Sequence, residues 1–182
     1  MNKTINYLVA IMILLASLPV MILTAVAIKI SSGGPVLYHR KKNGDPVIRI
    51  GQAGKPFKYF KFRTMDDDGK ITPIGKFLRH AHIDELPELF IVLRGDMNLV
   101  GPRPYTPEIQ EKFPICRLAL KPGITGPGQI FCGHNGNCLN KFKHDIEYIK
   151  NKNLLIDIKL IAITLLLAIF SHKKLSLYFK TA

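Results

Sequence analysis

An α+β fold carried on an N-terminal membrane helix is what this sequence predicts, and three observations predict it. Tyr7 to Ile28 holds no charged side chain, a run long enough for a helix to cross a bilayer. Residues 36–62 then break into short β-branched and aromatic stretches separated by turn residues. Beyond residue 70 the apolar residues recur at helical spacing in short segments. At 182 residues this is one domain plus appendages, here 1–30 as the membrane helix and 31–182 as the body.

Composition narrows the classes. A hydrophobic content of 47% with a net charge of +13 is an uncommon pairing. A membrane surface or an acidic, lipid-linked substrate explains both features together. A nucleic-acid binder would want aromatics exposed among its basic residues and no long apolar N-terminus, so nucleic acid is not an expected partner. Three cysteines, Cys116, Cys132 and Cys138, cannot all pair within one chain, which points to a reducing compartment. Cys132, His134 and Cys138 offer three possible zinc ligands without a clear fourth, too few for a closed tetrahedral site.

The N-terminal run admits three readings. Ala25-Val26-Ala27 hints at a secretory signal, but the apolar stretch is too long for a typical one. In a simple span, Lys3 lies before the segment and Lys29, Arg40, Lys41 and Lys42 after it, so one basic flank falls on the wrong side. In a re-entrant helix Pro19 deletes a hydrogen bond and bends the chain, with Ser17 bonding back to a carbonyl nearby. Residue physics leaves span and re-entrant open.

Ser31 to Pro35 reads as a turn. Residues 36–38, 47–50 and 57–62 read as strands, with Asn43-Gly44 and Gly54-Lys55-Pro56 as the turns between them. A small antiparallel hairpin or meander follows. Lys61 and Arg63 share one strand face, where they could neutralise phosphate; a solvated basic face explains them equally well. Asp66-Asp67-Asp68-Gly69 resembles a cation loop but lacks the spacing of one, and is read as solvated. Ile74, Phe77 and Leu78 form a short amphipathic run.

The organising stretch is Arg79 to Pro104. Leu86, Leu89, Phe90 and Leu93 make one helical stripe, Asp84 falls where an N-cap belongs, and Arg94-Gly95 is a stop signal. A helix over 85–94 is expected, with two carboxylates at its start. The bland role for Asp84 and Glu85 is capping and dipole complementation. Against it, Lys76, Arg79, His80, His82, Arg94 and Arg103 surround the pair, and prolines at 102 and 104 stiffen the backbone around one guanidinium. A rigidly held arginine suits bidentate phosphate recognition. Farther on, 108–120 reads as helix interrupted at Pro114. Lys121 to Gly128 is rigid and glycine-rich, suited to close backbone approach to a ligand. Leu160 to Phe170 is too short to cross a bilayer and reads as a core or interfacial helix, with Lys173, Lys174 and Lys180 toward acidic headgroups.

Ile83-Asp84-Glu85-Leu86-Pro87-Glu88-Leu89, Leu93-Arg94-Gly95-Asp96-Met97, Val100-Gly101-Pro102-Arg103-Pro104 and Lys121-Pro122-Gly123-Ile124-Thr125-Gly126 together resemble the signature of the bacterial sugar transferases. More narrowly, they resemble the small monotopic polyprenyl-phosphate phosphoglycosyl transferases. The resemblance runs from about Leu8 to Leu167 and includes Lys61 to Met65 and Gln129. It implies a re-entrant helix broken at Pro19, although Ser17-Leu18-Pro19 stands where the family has adjacent Ser-Pro. It also implies transfer of a phosphosugar from a UDP-sugar to polyprenyl (undecaprenyl) phosphate at the cytoplasmic face of the bacterial inner membrane. Asp84 would be the nucleophile, and Glu85 its acid/base partner or, with Asp84, a ligand of Mg²⁺. Arg79 and Arg103 would bind phosphate, and Pro102, Pro104, Gly123, Thr125 and Gln129 would form the substrate loops. Gly133-His134-Asn135 replaces the family's Gly-Arg-Asn, so the arginine's contacts do not carry over. Two other classes share these residues: a membrane-tethered basic binding protein, and a membrane-anchored phosphatase using the same aspartate.

Overall fold

A computed structural model describes residues 2–132 and 138–170. Gly133, His134, Asn135 and Lys173, Lys174 and Lys180 lie outside those residues, as does the side chain of Cys138.

Asn2 caps the first helix by accepting the Thr4 N–H, and the helix α1 (Lys3–Ser32) ends where Gly33 takes the left-handed conformation. α1 is assigned as one helix through Pro19, and Ser17 Oγ donates to Leu14 O at 3.0 Å. It is long and apolar enough to cross a membrane. Both of its ends lie against the body. Near the N-terminus Ala10 joins the main core, and the buried Asn6 Oδ1 accepts the Leu99 N–H at 2.9 Å. Nearer the C-terminus Met21 and Ile28 pack with Phe62 and Leu78 in a second cluster. Its remaining flank, including Met12, Leu15, Ile22 and Leu23, is exposed.

The β segment is a pair of nested antiparallel ladders. β1 (Leu37–Tyr38) pairs with β4 (Lys61–Phe62), and inside them β2 (Ile48–Ile50) pairs with β3 (Pro56–Lys58). The expected third strand over 57–62 is therefore two strands in different ladders, divided at Tyr59-Phe60. Gly44, at φ 85°, closes the Lys41–Asp45 tip as its φ > 0 position requires. A parallel pair that the sequence reading did not foresee follows: β5 (Asn98–Val100) alongside β6 (Gly123–Thr125). Neither three-residue run carries enough alternation to declare itself.

α2 (Pro73–His80) begins at Thr72, which accepts the Gly75 N–H. Phe77 on α2 is exposed. The expected helix over 85–94 is shorter and starts later. Ile83–Glu85 is a 3-10 turn entered through His82 at φ 54°, and α3 (Glu88–Arg94) has Pro87 at its N-cap and Gly95, at φ 93°, at its C-cap. Asp84 is thus not the helix cap. The buried face also differs: Glu88, Leu89, Ile91 and Val92 point inward, while Phe90 is 45% exposed. The cause is packing on both flanks, since α3 lies against α1 and β5.

The interrupted helix over 108–120 resolves into α4 (Pro107–Gln110) and a 3-10 turn, Ile115–Ala119. α5 (Pro127–Cys132), α6 (Cys138–Asn151) and α7 (Leu154–Phe170) complete the body. α7 buries Asp157, Leu160, Ile163 and Leu167 and leaves Leu155, Ile158 and Leu165 exposed. Buried Asp157 accepts the Tyr148 hydroxyl at 2.6 Å, which anchors the start of α7 to α6. Apolar surface left out on α1, α2 and α7 suits an interfacial location.

Candidate active site

Two carboxylates and two cations meet where β4, the 3-10 turn and the segment after β5 converge. Lys61 Nζ donates to Asp84 Oδ2 at 2.5 Å. Arg103 Nη2 donates to Glu85 Oε1 at 3.0 Å. Asp84 is only 3% exposed and Glu85 is buried beside it. The carboxylates come from one turn, whereas their partners lie 23 and 18 residues away. Charge neutralisation at Asp84 therefore comes from an ammonium across the fold; the seven-residue α3 begins four residues later and does not cap it.

The loop that presents Arg103 is held by its carbonyls. Proline has no N–H, so Pro102 and Pro104 leave the segment short of donors. Pro102 O accepts the Gly123 N–H at 3.0 Å, and the Gly101 N–H donates to Thr125 O at 2.9 Å. This clips the Pro102-Arg103-Pro104 loop to the Lys121–Gly126 loop. A Cβ on Gly123 would lie 2.1 Å from Gly101 N, and one on Gly126 would lie 2.2 Å from Gly101 O. Both positions need glycine for close backbone approach.

Glu85 and Arg103 open onto a cavity of about 210 Å³. Thr125 and Gln129 also face it, and its other walls are apolar, among them Ile13, Leu86, Leu89, Leu99 and Leu165. Gln129 Nε2 donates to Ile124 O at 2.8 Å, which fixes the amide, and its buried Oε1 has no hydrogen-bond partner among the described residues. Asp84 does not line this cavity. It pairs with Lys61 instead.

Not every candidate joins the group. Arg79 Nε donates to Thr64 Oγ1 at 2.9 Å. The buried Arg63 turns to Met65 O at 2.6 Å and to Asp67 Oδ1 at 2.9 Å, bracing the Asp66–Asp68 loop. β4 ends at Phe62, so Arg63 lies past the strand and not on a shared face with Lys61, and the two serve different partners. Pro102, Pro104 and Gly123 shape the loop without lining the cavity.

A family model for bacterial sugar transferases matches residues 1–171. The chain belongs to that family. Among relatives of this family member, an Aeromonas hydrophila UDP-N-acetylgalactosamine-undecaprenyl-phosphate N-acetylgalactosaminephosphotransferase is 34% identical over 165 residues, covering 79% of this chain and 37% of the relative. A Komagataeibacter xylinus undecaprenyl-phosphate glucose phosphotransferase is 36% identical over 193 residues, covering 90% and 35%. The Bacillus subtilis sugar transferase EpsL is 35% identical over 170 residues, covering 85% and 80%. The chain spans a little over a third of the length of the first two.

Beneath the two carboxylates of this family member lies a third that sequence reasoning missed. Glu88 is buried, and its Oε1 accepts the Tyr59 hydroxyl at 2.5 Å. Burial and the neighbouring Glu85 charge push Glu88 up to about 8, so at neutral pH it is an uncharged acid. Burial also works against ionised Glu85, but the charges of Arg103, Lys61 and His82 outweigh it and hold its carboxyl below the usual range. Two carboxylates one helical turn apart are driven in opposite directions. In the sequence Glu88 is marked by its i,i+3 spacing from Glu85 and by its place in the Ile83–Leu89 motif, neither of which shows that it is buried.

Among the described residues no three His, Cys, Asp or Glu side chains cluster to hold a metal. Mg²⁺ does not require such a cage, since one or two carboxylates plus substrate phosphates suffice. The ion pairs engage Asp84 Oδ2 and Glu85 Oε1, one oxygen of each carboxylate. The donor set of Asp84 and Glu85 therefore fits an Mg²⁺ shared with a substrate.

Proposed function

We propose that the chain transfers a phosphosugar from a UDP-sugar to undecaprenyl phosphate, giving undecaprenyl-diphosphate-sugar and UMP. The observation that carries this reading is the pairing of Asp84 with Lys61 and Glu85 with Arg103 beside an apolar-walled cavity. Two anions must meet for this reaction, and phosphoryl transfer depends mainly on positioning and electrostatic stabilisation. The relatives' names, which specify undecaprenyl-phosphate sugar phosphotransferases, support the same donor and acceptor classes.

In this reading an Asp84 oxygen attacks the sugar-bearing phosphorus, and the bond from that phosphorus to UMP breaks. Aspartyl-phosphate chemistry of this kind is established for carboxylate nucleophiles. An oxygen of the lipid phosphate then attacks the same phosphorus and frees Asp84. Lys61 pairs with Asp84 and holds it in place, then follows the charge onto the transferred phosphoryl group. Arg103, tied to Glu85 and fixed by its carbonyl contacts, orients the phosphates. Glu85 takes or returns the proton or, with Asp84, holds Mg²⁺, which when bound supplies positive charge against the donor diphosphate. Thr125 and Gln129 line the place where the acceptor's first prenyl units and head meet.

The helix α1 would seat in the bilayer from the cytoplasmic face as a re-entrant element. Contact of both of its ends with the body supports this, because a straight span would carry one end to the far side. The body from residue 31 onward would lie at that face.

The test is UMP release. Enzyme given a UDP-sugar alone should release UMP up to one equivalent, and undecaprenyl phosphate should then start turnover. Asp84→Asn should abolish both while the protein stays folded and membrane-bound. Steady release without lipid would instead indicate a hydrolase. Function that persists in Asp84→Asn and without Mg²⁺ would indicate a binding protein.

A further inference from the structure

Among the described residues outside the site, the most heavily bonded side chain is Arg117, on the 3-10 turn Ile115–Ala119 and 2% exposed. Its Nε and Nη2 both donate to Asp145 Oδ2, at 2.9 and 2.8 Å. Nη1 donates to Gln110 Oε1 at 3.2 Å. Its guanidinium lies 4.7 Å from the Tyr105 ring and 4.9 Å from the Phe113 ring, which stack on one another. One further bond leaves this cluster: Nη2 also donates to the backbone oxygen of Arg103 at 3.1 Å.

That last bond links the cluster to the reaction centre. Flanked by prolines, Arg103 is held chiefly through carbonyls, Pro102 O by Gly123 and its own carbonyl by Arg117. We propose that Arg117 is a positioning residue for Arg103, fixing its backbone so that the guanidinium reaches Glu85 and the phosphates of the substrate. The ion pair with Asp145 makes the anchor rigid. Asp145 also accepts the Gly128 N–H at the start of α5, and a Cβ on Gly128 would meet Asp145 Oδ1 at 2.8 Å. The same node thereby registers the Arg103 loop against the segment carrying Gln129. A lysine cannot replace this arrangement, because a single ammonium lacks the planar fork that serves Asp145, Gln110 and Arg103 at once.

This inference rests on the reading of Arg103 as a phosphate clamp, so the experiment separates the two. UMP release is measured for Arg103→Met, for Arg117→Met/Asp145→Leu, and for the combination of all three changes. The paired change at 117 and 145 removes both buried charges together, and thermal unfolding in detergent checks that it folds. Expected is a loss of roughly 10²-fold in kcat for the paired variant, with KM nearly unchanged, since displacing a reacting group by about 1 Å has that effect. In the Arg103→Met background the same pair should cause no further loss. Arg117→Lys, which keeps the charge, should not rescue kcat. A paired variant that folds and keeps full kcat overturns the proposal, and so does a loss that simply multiplies with that of Arg103→Met. If Arg103→Met alone releases UMP normally, the clamp reading fails first, and the proposal falls with it.

Discussion

Removing the ammonium beside Asp84 is the sharpest test of how the site is held together. Lys61→Met keeps most of the stem and deletes the charge. The side chain of Asp84 is 5% exposed and that of Lys61 19%, so the two partners respond differently to losing each other. Breaking a buried pair by removing one partner costs about 3–5 kcal/mol, because a charge is left uncompensated. With Lys61 partly exposed, a fall toward the lower end of that range, about 3–4 kcal/mol, is expected. For a chain of this size that corresponds to roughly 6–15 °C in Tm. Asp84→Asn should cost far less, about 1 kcal/mol, since the lysine stem can swing its ammonium into water. The double variant should therefore be more stable than Lys61→Met alone. Thermal and denaturant unfolding in detergent micelles at pH 7 measures all four proteins. A deficit under 1 kcal/mol at pH 7, or additive single changes, would show that the pair is effectively solvated and refute the reasoning.

Three further outcomes follow from neighbouring contacts. Glu88, with its folded pKa raised from 4.5 to about 8, favours the fold fully below pH 4.5, and this contribution is lost as pH rises to 8. Glu88→Gln should flatten the decline of Tm over that window and be the more stable protein at pH 8; parallel curves would count against the assignment. Gly123→Ala places a Cβ 2.1 Å from Gly101 N and 2.6 Å from Thr125 O, so a loss of about 1–3 kcal/mol is expected, with a larger loss of UMP release as Arg103 shifts. Asn6→Leu strands the buried Leu99 N–H and should cost about 1–3 kcal/mol, seen as faster proteolysis around the body.

Much of the site could be read along the chain. Asp84, Glu85 and Arg103 were marked by local patterns: adjacent carboxylates after a basic run, and an arginine set between prolines. The stop at Gly95 was legible because a left-handed residue after a helix is a local requirement met by glycine. That α1 is long and apolar enough to cross a membrane followed from composition alone. The start of α3 was misread, since an aspartate before an apolar run looks the same whether it caps a helix or sits in a preceding 3-10 turn.

What no single stretch could reveal was who partners whom. Lys61 and Arg63 look equivalent in the sequence, yet one lies in β4 and reaches Asp84 while the other lies past the strand and reaches the Asp67 loop. Glu88 had no evident role until α1 and β5 packed against its helix, and the pairing of β5 with β6 joined segments 25 residues apart. Periodicity and capping act over one helical turn, so the order of residues determined the elements and the candidate chemistry. Ion pairing, desolvation and backbone clips act through space, and only the closed tertiary structure decided that burial raises the pKa of Glu88, that Lys61 is the partner of Asp84, and how Arg103 is held.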